Sequence, residues 1–367
     1  MRASPTARIE RLEVRACNLA TEGGPESDGT AVWDSTTMVI VQPRAEGITG
    51  LGYSYVAAAA AGFIRDVLAP AVVGKSAFSI AEAWTAMRVA ARNHGATGLV
   101  AYAISAVDVA LWDLKAKLLG VALADLLGAA RDCVPVYASG GFTSETNDEL
   151  VEELDGYVAE GHRRVKIKIG RTPEHDLERV RRAREAVGKG VELMVDANGG
   201  YPRKRALAFA EQLAGLGVVY FEEPVSADDL DGLRLLRDRA PAPVAIAAGE
   251  YGDHPAYFRH MLDAGAVDIL QADATRALGI TGFMQVDALC AAHEVPLSSH
   301  CAPAIHAHAG AAATRLVHLE HFRDHARMES MMFDGAPVVE DGTVAYDPKR
   351  PGLGLVLDES EARRHAA

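Results

Sequence analysis

Short apolar runs, largely β-branched, recur through the second half of the chain, and each stops at a charged or titratable side chain. RRVKIKIG (163–170) alternates Lys166 and Lys168 with Val165, Ile167 and Ile169, the period of two expected of a strand. ELMVDANG then ends its run at Asp196, VVYFEEP at Glu222 and Glu223, VAIAAGE at Glu250, VDILQAD at Asp273, VPLSSH at His300 and RLVHLE at Glu320. Counted from Lys168 through Asp196, Glu222 and onward, the intervals are 28, 26, 28, 23, 27 and 20 residues. That is the length of one strand, one helix and two loops, the unit of a parallel α/β barrel. Taken alone, the alternating lysines suit an edge strand equally well; the series that follows decides for the barrel. In that fold the carboxyl ends of successive strands converge on one mouth.

Helical patterns fill the gaps. HDLERVRRAREAVG, KRALAFAEQLAGLG, ADDLDGLRLLRDRA, HPAYFRHMLDAG, ITGFMQVDALCAAHE and PAIHAHAGAAATR follow strands two to seven, and VPVYAS, ending at Ser139, supplies strand one. Upstream, residues 8–18 and 36–46 read as strands. Between them NLATEGGPESDGTAVWD is polar and glycine-rich, either a plain linker or a lid. Residues 48–56 are a turn and then aromatics, with Tyr53 and Tyr55 either in the core or facing a substrate. Ser79 and Glu82 have capping-box spacing ahead of AEAWTAMRVAARN, and 104–119 is a helix that stops before Gly120. The expected organisation is an α+β unit over 1–130, a barrel over 131–324, and a glycine- and proline-rich segment, 325–367, that folds back on another unit.

Composition narrows the classes. A net charge of −13 argues against nucleic acid or an anionic membrane as partner. The 49% hydrophobic and 24% charged content is that of a soluble globular protein. Cys17, Cys133, Cys290 and Cys301 have no metal-site spacing and suggest reduced thiols in a cytoplasm. The amino terminus lacks the apolar core of a signal peptide, and Asp108 interrupts AYAISAVDVALW, which reads as a buried helix, not a span. There is no P-loop and no dinucleotide fingerprint.

Asp196, Glu222 and Glu250 end three consecutive strands. Three carboxylates that close repel one another unless a cation sits among them, and all-oxygen ligands select Mg²⁺. Glu223 is an alternative to Glu222; the proline after Glu223 marks the turn away from the strand and favours Glu222. Asn198, two residues past Asp196, points the same way. Lys168 is one candidate base, its pKa expected to fall beside Lys166 and a metal, while Lys166 is placed to hold a substrate carboxylate. His300 is the other, with Asp273 one strand earlier to fix its tautomer. Glu320 is placed to donate, protonated, a hydrogen bond to a developing enolate oxygen. Lysine on strand two and histidine on strand seven face each other across the barrel. That arrangement suits removal of a proton α to a carboxylate, followed by racemisation or by loss of a β-hydroxyl.

With these residues in place, the chain resembles the enolase superfamily, mandelate racemase subgroup, over nearly its whole length. Lys166-Ile167-Lys168 resembles the family's KxK, Asp196, Glu222 and Glu250 its magnesium ligands, Asp273 with His300 its His–Asp dyad, and Glu320 the group that hydrogen-bonds the intermediate. QADATRALGIT (271–281) resembles the segment around the dyad aspartate, with Arg276 where a basic residue is common. The resemblance implies a modified TIM barrel, (β/α)7β, with an N-terminal α+β capping domain completed by the C-terminal segment. It also implies loops around 18–33 and 51–56 that close over the mouth. Trp33, Tyr53, Ser139, Asn198 and Arg276 are the expected substrate contacts, and a homo-oligomer, dimer to octamer, is the expected assembly. TEGGPESDGT is polar and acidic, Trp33 is its only large aromatic neighbour, and no Arg, Lys or His lies between Asn18 and Asp34. This favours a dehydratase acting on a monocarboxylate acid sugar over a racemase or epimerase of a 2-hydroxy acid, and over a diacid substrate. Asp273 stands where cycloisomerases and amino-acid-derivative epimerases commonly place a lysine, which counts against them. A non-catalytic barrel has no reason to keep the full set.

Overall fold

The computed structural model describes residues 7–367; residues 1–6 of the expected capping unit lie outside the described residues. The amino-terminal part is an antiparallel sheet in which β4 (Ser35–Ala45) pairs with β1 (Arg11–Ala20), β5 (Ile48–Thr49) and β6 (Gly52–Tyr55). Between β1 and β4 the chain makes a small hairpin of β2 (Glu26–Ser27) and β3 (Val32–Trp33). Helix Leu99–Leu119 packs on the sheet, and helix Ile80–Ala91 packs on that helix. Leu99–Leu119 ends where expected, at Gly120, whose φ of 71° lies in the left-handed region that terminates a helix cheaply. The Ser79–Glu82 capping box does not form: Ser79 makes no side-chain cap, and Glu82 instead pairs with Lys75 at 2.8 Å.

Eight parallel strands close the barrel: β7 (Cys133–Gly140), β8 (Arg164–Lys168), β9 (Glu192–Asp196), β10 (Val218–Glu222), β11 (Ala245–Ala248), β12 (Ile269–Ala272), β13 (Leu297–Ser299) and β14 (Leu316–Phe322). β14 pairs back onto β7 through Leu319↔Val136 to Phe322↔Ser139. Closure leaves no edge, so the alternation on β8 is not edge protection. Val165 and Ile167 join the apolar layer under the helices, while Lys166 and Lys168 turn inward, 1% and 6% exposed. Tyr137, Met194, Tyr220 and Ala247 fill the interior below them. Parallel register then sets Lys168 beside Asp196 and Asp196 beside Glu222.

Seven helices join the eight strands. The helix after β7, Asn147–Ala159, carries a capping box between Thr146 and Glu149 that the sequence reading missed. Beyond β14, where periodicity was expected to stop, helix Arg323–Met332 forms at once. The last segment goes to two places. Thr343–Ala345 adds antiparallel to β7 (Val344↔Val134), and Cys17↔Ala366 ties the end of the chain to β1. Cap and barrel meet along Leu99–Leu119, where Asp108 accepts from the backbone N of Thr281 at 2.9 Å and from its hydroxyl at 2.7 Å. Among the described residues, no helix is long and apolar enough to cross a membrane.

Candidate active site

At the carboxyl ends of β9, β10 and β11, Asp196, Glu222 and Glu250 each offer an oxygen within 4.8 Å of the other two, and all three residues are buried. Glu222 Oε1 and Glu250 Oε2 have no hydrogen-bond partner. Burial and the neighbouring Asp196 push Glu222 up to about 8. Burial pushes Glu250 the same way, but His300 and Arg276 outweigh it and hold it below the usual carboxylate range. Buried all-oxygen donors, two of them with an oxygen that has no hydrogen-bond partner, fit a hard divalent cation. Glu222 completes this cluster. Glu223 follows with a left-handed φ of 37°, its Oε1 unpaired and its pKa driven well up by burial and by Glu250.

The two lysines divide the carboxylates. Lys166 Nζ lies 2.7 Å from Glu222, 2.7 Å from Glu320 and 3.9 Å from Asp196. Lys168 Nζ donates to Asp196 at 2.5 Å. The expected fall of the Lys168 pKa is overturned in the protein alone. Burial and Lys166 do act downward, but the Asp196 ion pair outweighs them and the pKa stands raised. The expected protonated Glu320 is overturned in the same way: burial pushes it up, yet Lys166 dominates and holds it well below the carboxylate range. It also accepts from the backbone N of Cys301 at 2.8 Å.

His300, just past β13, joins its Nδ1 to Asp273 Oδ2 at 2.9 Å. The other oxygen of Asp273 accepts from the N (2.7 Å) and hydroxyl (2.8 Å) of Thr275, which fixes the carboxylate plane. Burial raises Asp273, but the hydrogen bond from His300 and its charge prevail and keep it ionised. Nδ1 is therefore the donor, and Nε2 faces inward, 3.5 Å from Glu250 and 3.3 Å from Cys301 Sγ.

Above these groups lies a cavity of about 370 Å³. Lys168, Glu250, His300 and Glu320 line one side, Trp33, Asn198 and Arg276 the walls, and Asp28, Thr36, Thr37 and Tyr55 the roof. Two expected substrate contacts do not reach it. Tyr53 is fully buried beneath the roof with its hydroxyl donated to Glu329 at 2.6 Å, and Tyr55 lines the cavity instead. Ser139 is buried at the end of β7, away from the lining. The sequence reading missed Tyr251, Cys301 and His325. The first two directly follow strand-end residues, a signal that was legible; His325 sits on the helix after β14 and had none. Arg276 lines the wall, but its guanidinium is committed: it donates to the Glu250 carbonyl at 3.0 Å and pairs with the Glu250 and Asp273 carboxylates at 3.6 and 3.7 Å.

The segment between β1 and β4 is a docked lid. A side chain at Gly29 would collide with the carbonyl oxygens of Ala197 and Ile169, so only glycine lets the hairpin sit this close to the rim. Thr143 donates to the Asp28 carbonyl at 2.8 Å, and Arg323 joins lid residue Glu26 (3.1 Å) to Glu145 (3.0 Å) and Glu153 (2.5 Å).

A closed parallel barrel with a carboxylate cluster at its mouth, under a β-rich cap, defines an enolase-type enzyme. The chain belongs to the enolase superfamily: residues 149–361 match the enolase C-terminal domain-like family. Residues 16–128 match the mandelate racemase/muconate lactonizing enzyme N-terminal domain, which places the chain in that branch. It is 32% identical over 333 residues to L-talarate/galactarate dehydratase of Salmonella typhimurium, covering 89% of this chain and 82% of the relative. A mandelate racemase/muconate lactonizing enzyme-like protein from Rubrobacter xylanophilus superposes with a TM-score of 0.96 at 53% identity, covering 98% of this chain and 100% of the other. A racemase from Streptomyces coelicolor with bound magnesium superposes with a TM-score of 0.92 at 31% identity, covering 98% and 100%.

Proposed function

We propose that the protein is a magnesium-dependent acid-sugar dehydratase that converts a sugar acid to its 2-keto-3-deoxy acid. The observation that carries this reading is that Lys168 and the Asp273-held His300 line one cavity beside the Asp196–Glu222–Glu250 cluster. Similarity to L-talarate/galactarate dehydratase and to a magnesium-binding racemase supports the reaction class and the metal. Asp196, Glu222 and Glu250 would hold the magnesium, which would supply positive charge beside the substrate carboxylate.

Lys168 takes the proton from the carbon next to the carboxylate. To do so it must lose its own proton, and a carboxylate that also serves a divalent cation holds the ammonium less firmly. Lys166 does not line the cavity; from inside the barrel it pairs with Glu222 and ionised Glu320 and adds positive charge beneath the substrate carboxylate. His300 delivers a proton from Nε2 to the departing β-hydroxyl while Asp273 holds the ring through Nδ1. The substrate is a monocarboxylate with a neutral, hydroxylated tail. Among the described residues that line the cavity, Arg276 is spent on Glu250 and Asp273, and burial pushes His325 down to about 3, so it stays neutral. Asp28, Thr36 and Thr37 offer hydroxyl partners at the roof.

The test is a screen of aldonates and aldarates of matched configuration with Mg²⁺, read as keto-acid formation. A preference for the diacid beyond about tenfold in kcat/KM rejects the neutral tail and leaves the dehydratase standing. The Streptomyces coelicolor structure favours a racemase as the second reading. That reading predicts changed optical rotation with no keto acid from any sugar acid.

A further inference from the structure

His300 and Cys301 are neighbours in sequence, and on an extended chain their side chains would point to opposite faces. Here they converge. Cys301 (φ 49°) and Ala302 (φ 44°) are two successive left-handed residues without glycine's freedom, a conformation that persists only where the surroundings impose it. They do: Glu320 accepts from the Cys301 N at 2.8 Å, and His306 Nδ1 donates to the Cys301 carbonyl at 2.7 Å. The kink turns the thiol back over the barrel mouth, so that Sγ lies 3.3 Å from His300 Nε2. Glu320 Oε2 lies 4.0 Å from the same nitrogen. One donor atom from each of His300, Cys301 and Glu320 falls within 4.8 Å of the other two, and all three residues are buried.

We propose that His300, Cys301 and Glu320 form a second cation site, selective for Zn²⁺ and cations of its class, whose occupation silences the enzyme. Metal–nitrogen and metal–oxygen bonds of about 2.0–2.2 Å and a metal–sulfur bond of about 2.3 Å put the donors of a tetrahedral site roughly 3.3–3.6 Å apart. The observed 3.3 and 4.0 Å need only a small adjustment. The mixed N, S, O set selects zinc or cadmium, whereas the all-carboxylate cluster nearby selects a hard ion. All three residues line the cavity, so a water or a substrate oxygen can complete the fourth position. Binding replaces the thiol proton, which leaves to solvent. It also occupies His300 Nε2, the atom that hands the proton to the leaving hydroxyl. The silencing, though not the binding, rests on the dehydratase reading.

The experiment titrates the magnesium-saturated, full-length protein with Cd²⁺ and reads the thiolate-to-cadmium charge-transfer absorption. The expected result is one equivalent bound with the band present. Cys301→Ser should lose the band, and a chain with Cys17, Cys133 and Cys290 all changed to serine should keep it. Turnover should fall about 10²-fold or more with the same stoichiometry under Zn²⁺, and excess Mg²⁺ should not restore it. No band, or a band that survives Cys301→Ser and depends on exposed Cys133, overturns the site. Inhibition that Mg²⁺ reverses shows that zinc enters the carboxylate cluster and overturns the mechanism. Absence of keto-acid formation before any zinc is added would sink the dehydratase reading and leave the cadmium band to stand or fall by itself.

Discussion

Lys166 and Lys168 sit two residues apart on one strand yet have different nearest carboxylates, Glu222 and Glu320 for the first and Asp196 for the second, and that division sets their chemistry. The KxK spacing was legible in the sequence; the sign of the Lys168 shift was not. It depends on a 2.5 Å contact with Asp196, 28 residues away, that only closure of the barrel creates. Glu320 fails for the same reason, since Lys166 at 2.7 Å makes it an anion. At this scale His300→Asn is expected to abolish dehydration and to retain α-proton exchange with solvent through Lys168, followed by deuterium incorporation at the α-carbon. Loss of exchange together with dehydration would assign both proton transfers to His300. Glu222→Gln is expected to weaken magnesium by about tenfold or more, whereas Glu223→Gln, outside the three-oxygen cluster, is expected to do so less. Calorimetric titration with Mg²⁺ compares them, and a reversed order would move the ligand to Glu223.

Helix Gly279–His293 shows what one element cannot read from itself. Its N-cap, Leu278, has a φ of 64° and no side-chain acceptor, so the sequence gives no local start signal. The missing acceptor comes from the cap: Asp108 takes the Thr281 N and hydroxyl, and Ser105 Oγ accepts from the Gly279 N at 3.0 Å. Burial drives Asp108 up to about 7, so its charge is expensive and its acceptor role is the useful part. Asp108→Ala is expected to cost about 1–2 kcal/mol, and Asp108→Asn much less, because asparagine caps nearly as well. Urea midpoints of the two variants decide it; equal losses would mean that the charge, not the acceptor, matters. Ser79 and Glu82 are the converse case, a local start signal that a competing partner, Lys75, left unused.

The interior of the whole barrel carries a titration that sequence cannot reveal. His318 lies wholly within it, its Nδ1 2.9 Å from Ser298 Oγ, and burial pushes its pKa down to about 3. The unfolded chain binds that proton near pH 6.5, so the stability is complete above about 6.5 and is lost as pH falls towards 3. At most roughly 5 kcal/mol is at stake, because each pH unit between the unfolded and folded pKa is worth about 1.4 kcal/mol. His318→Gln keeps a partner for Ser298 and removes the titration. Its denaturation midpoint should therefore fall less steeply between pH 6.5 and 4 than that of the wild type, and parallel slopes would exclude His318 as a source.

What the sequence determined by itself was the order and the ends of the strands. Apolar runs recurring every 20–28 residues with helical patterns between them suit parallel strands covered by helices, and in a closed barrel their terminal charges share one mouth. Asp196, Glu222, Glu250, Asp273, His300 and Glu320 were named on that ground, and they do meet there. What tertiary structure decided was everything set by contacts between distant segments. Lys168 and Glu320 took their charge states from partners across strands, and Tyr53 was drawn beneath the roof by Glu329. The Gly29 hairpin docked on the rim, and His325 entered the cavity from a helix with no periodic signal. Local patterning fixes which face a residue shows; the partner that meets it there comes from another part of the chain, and that pairing sets its charge and its role.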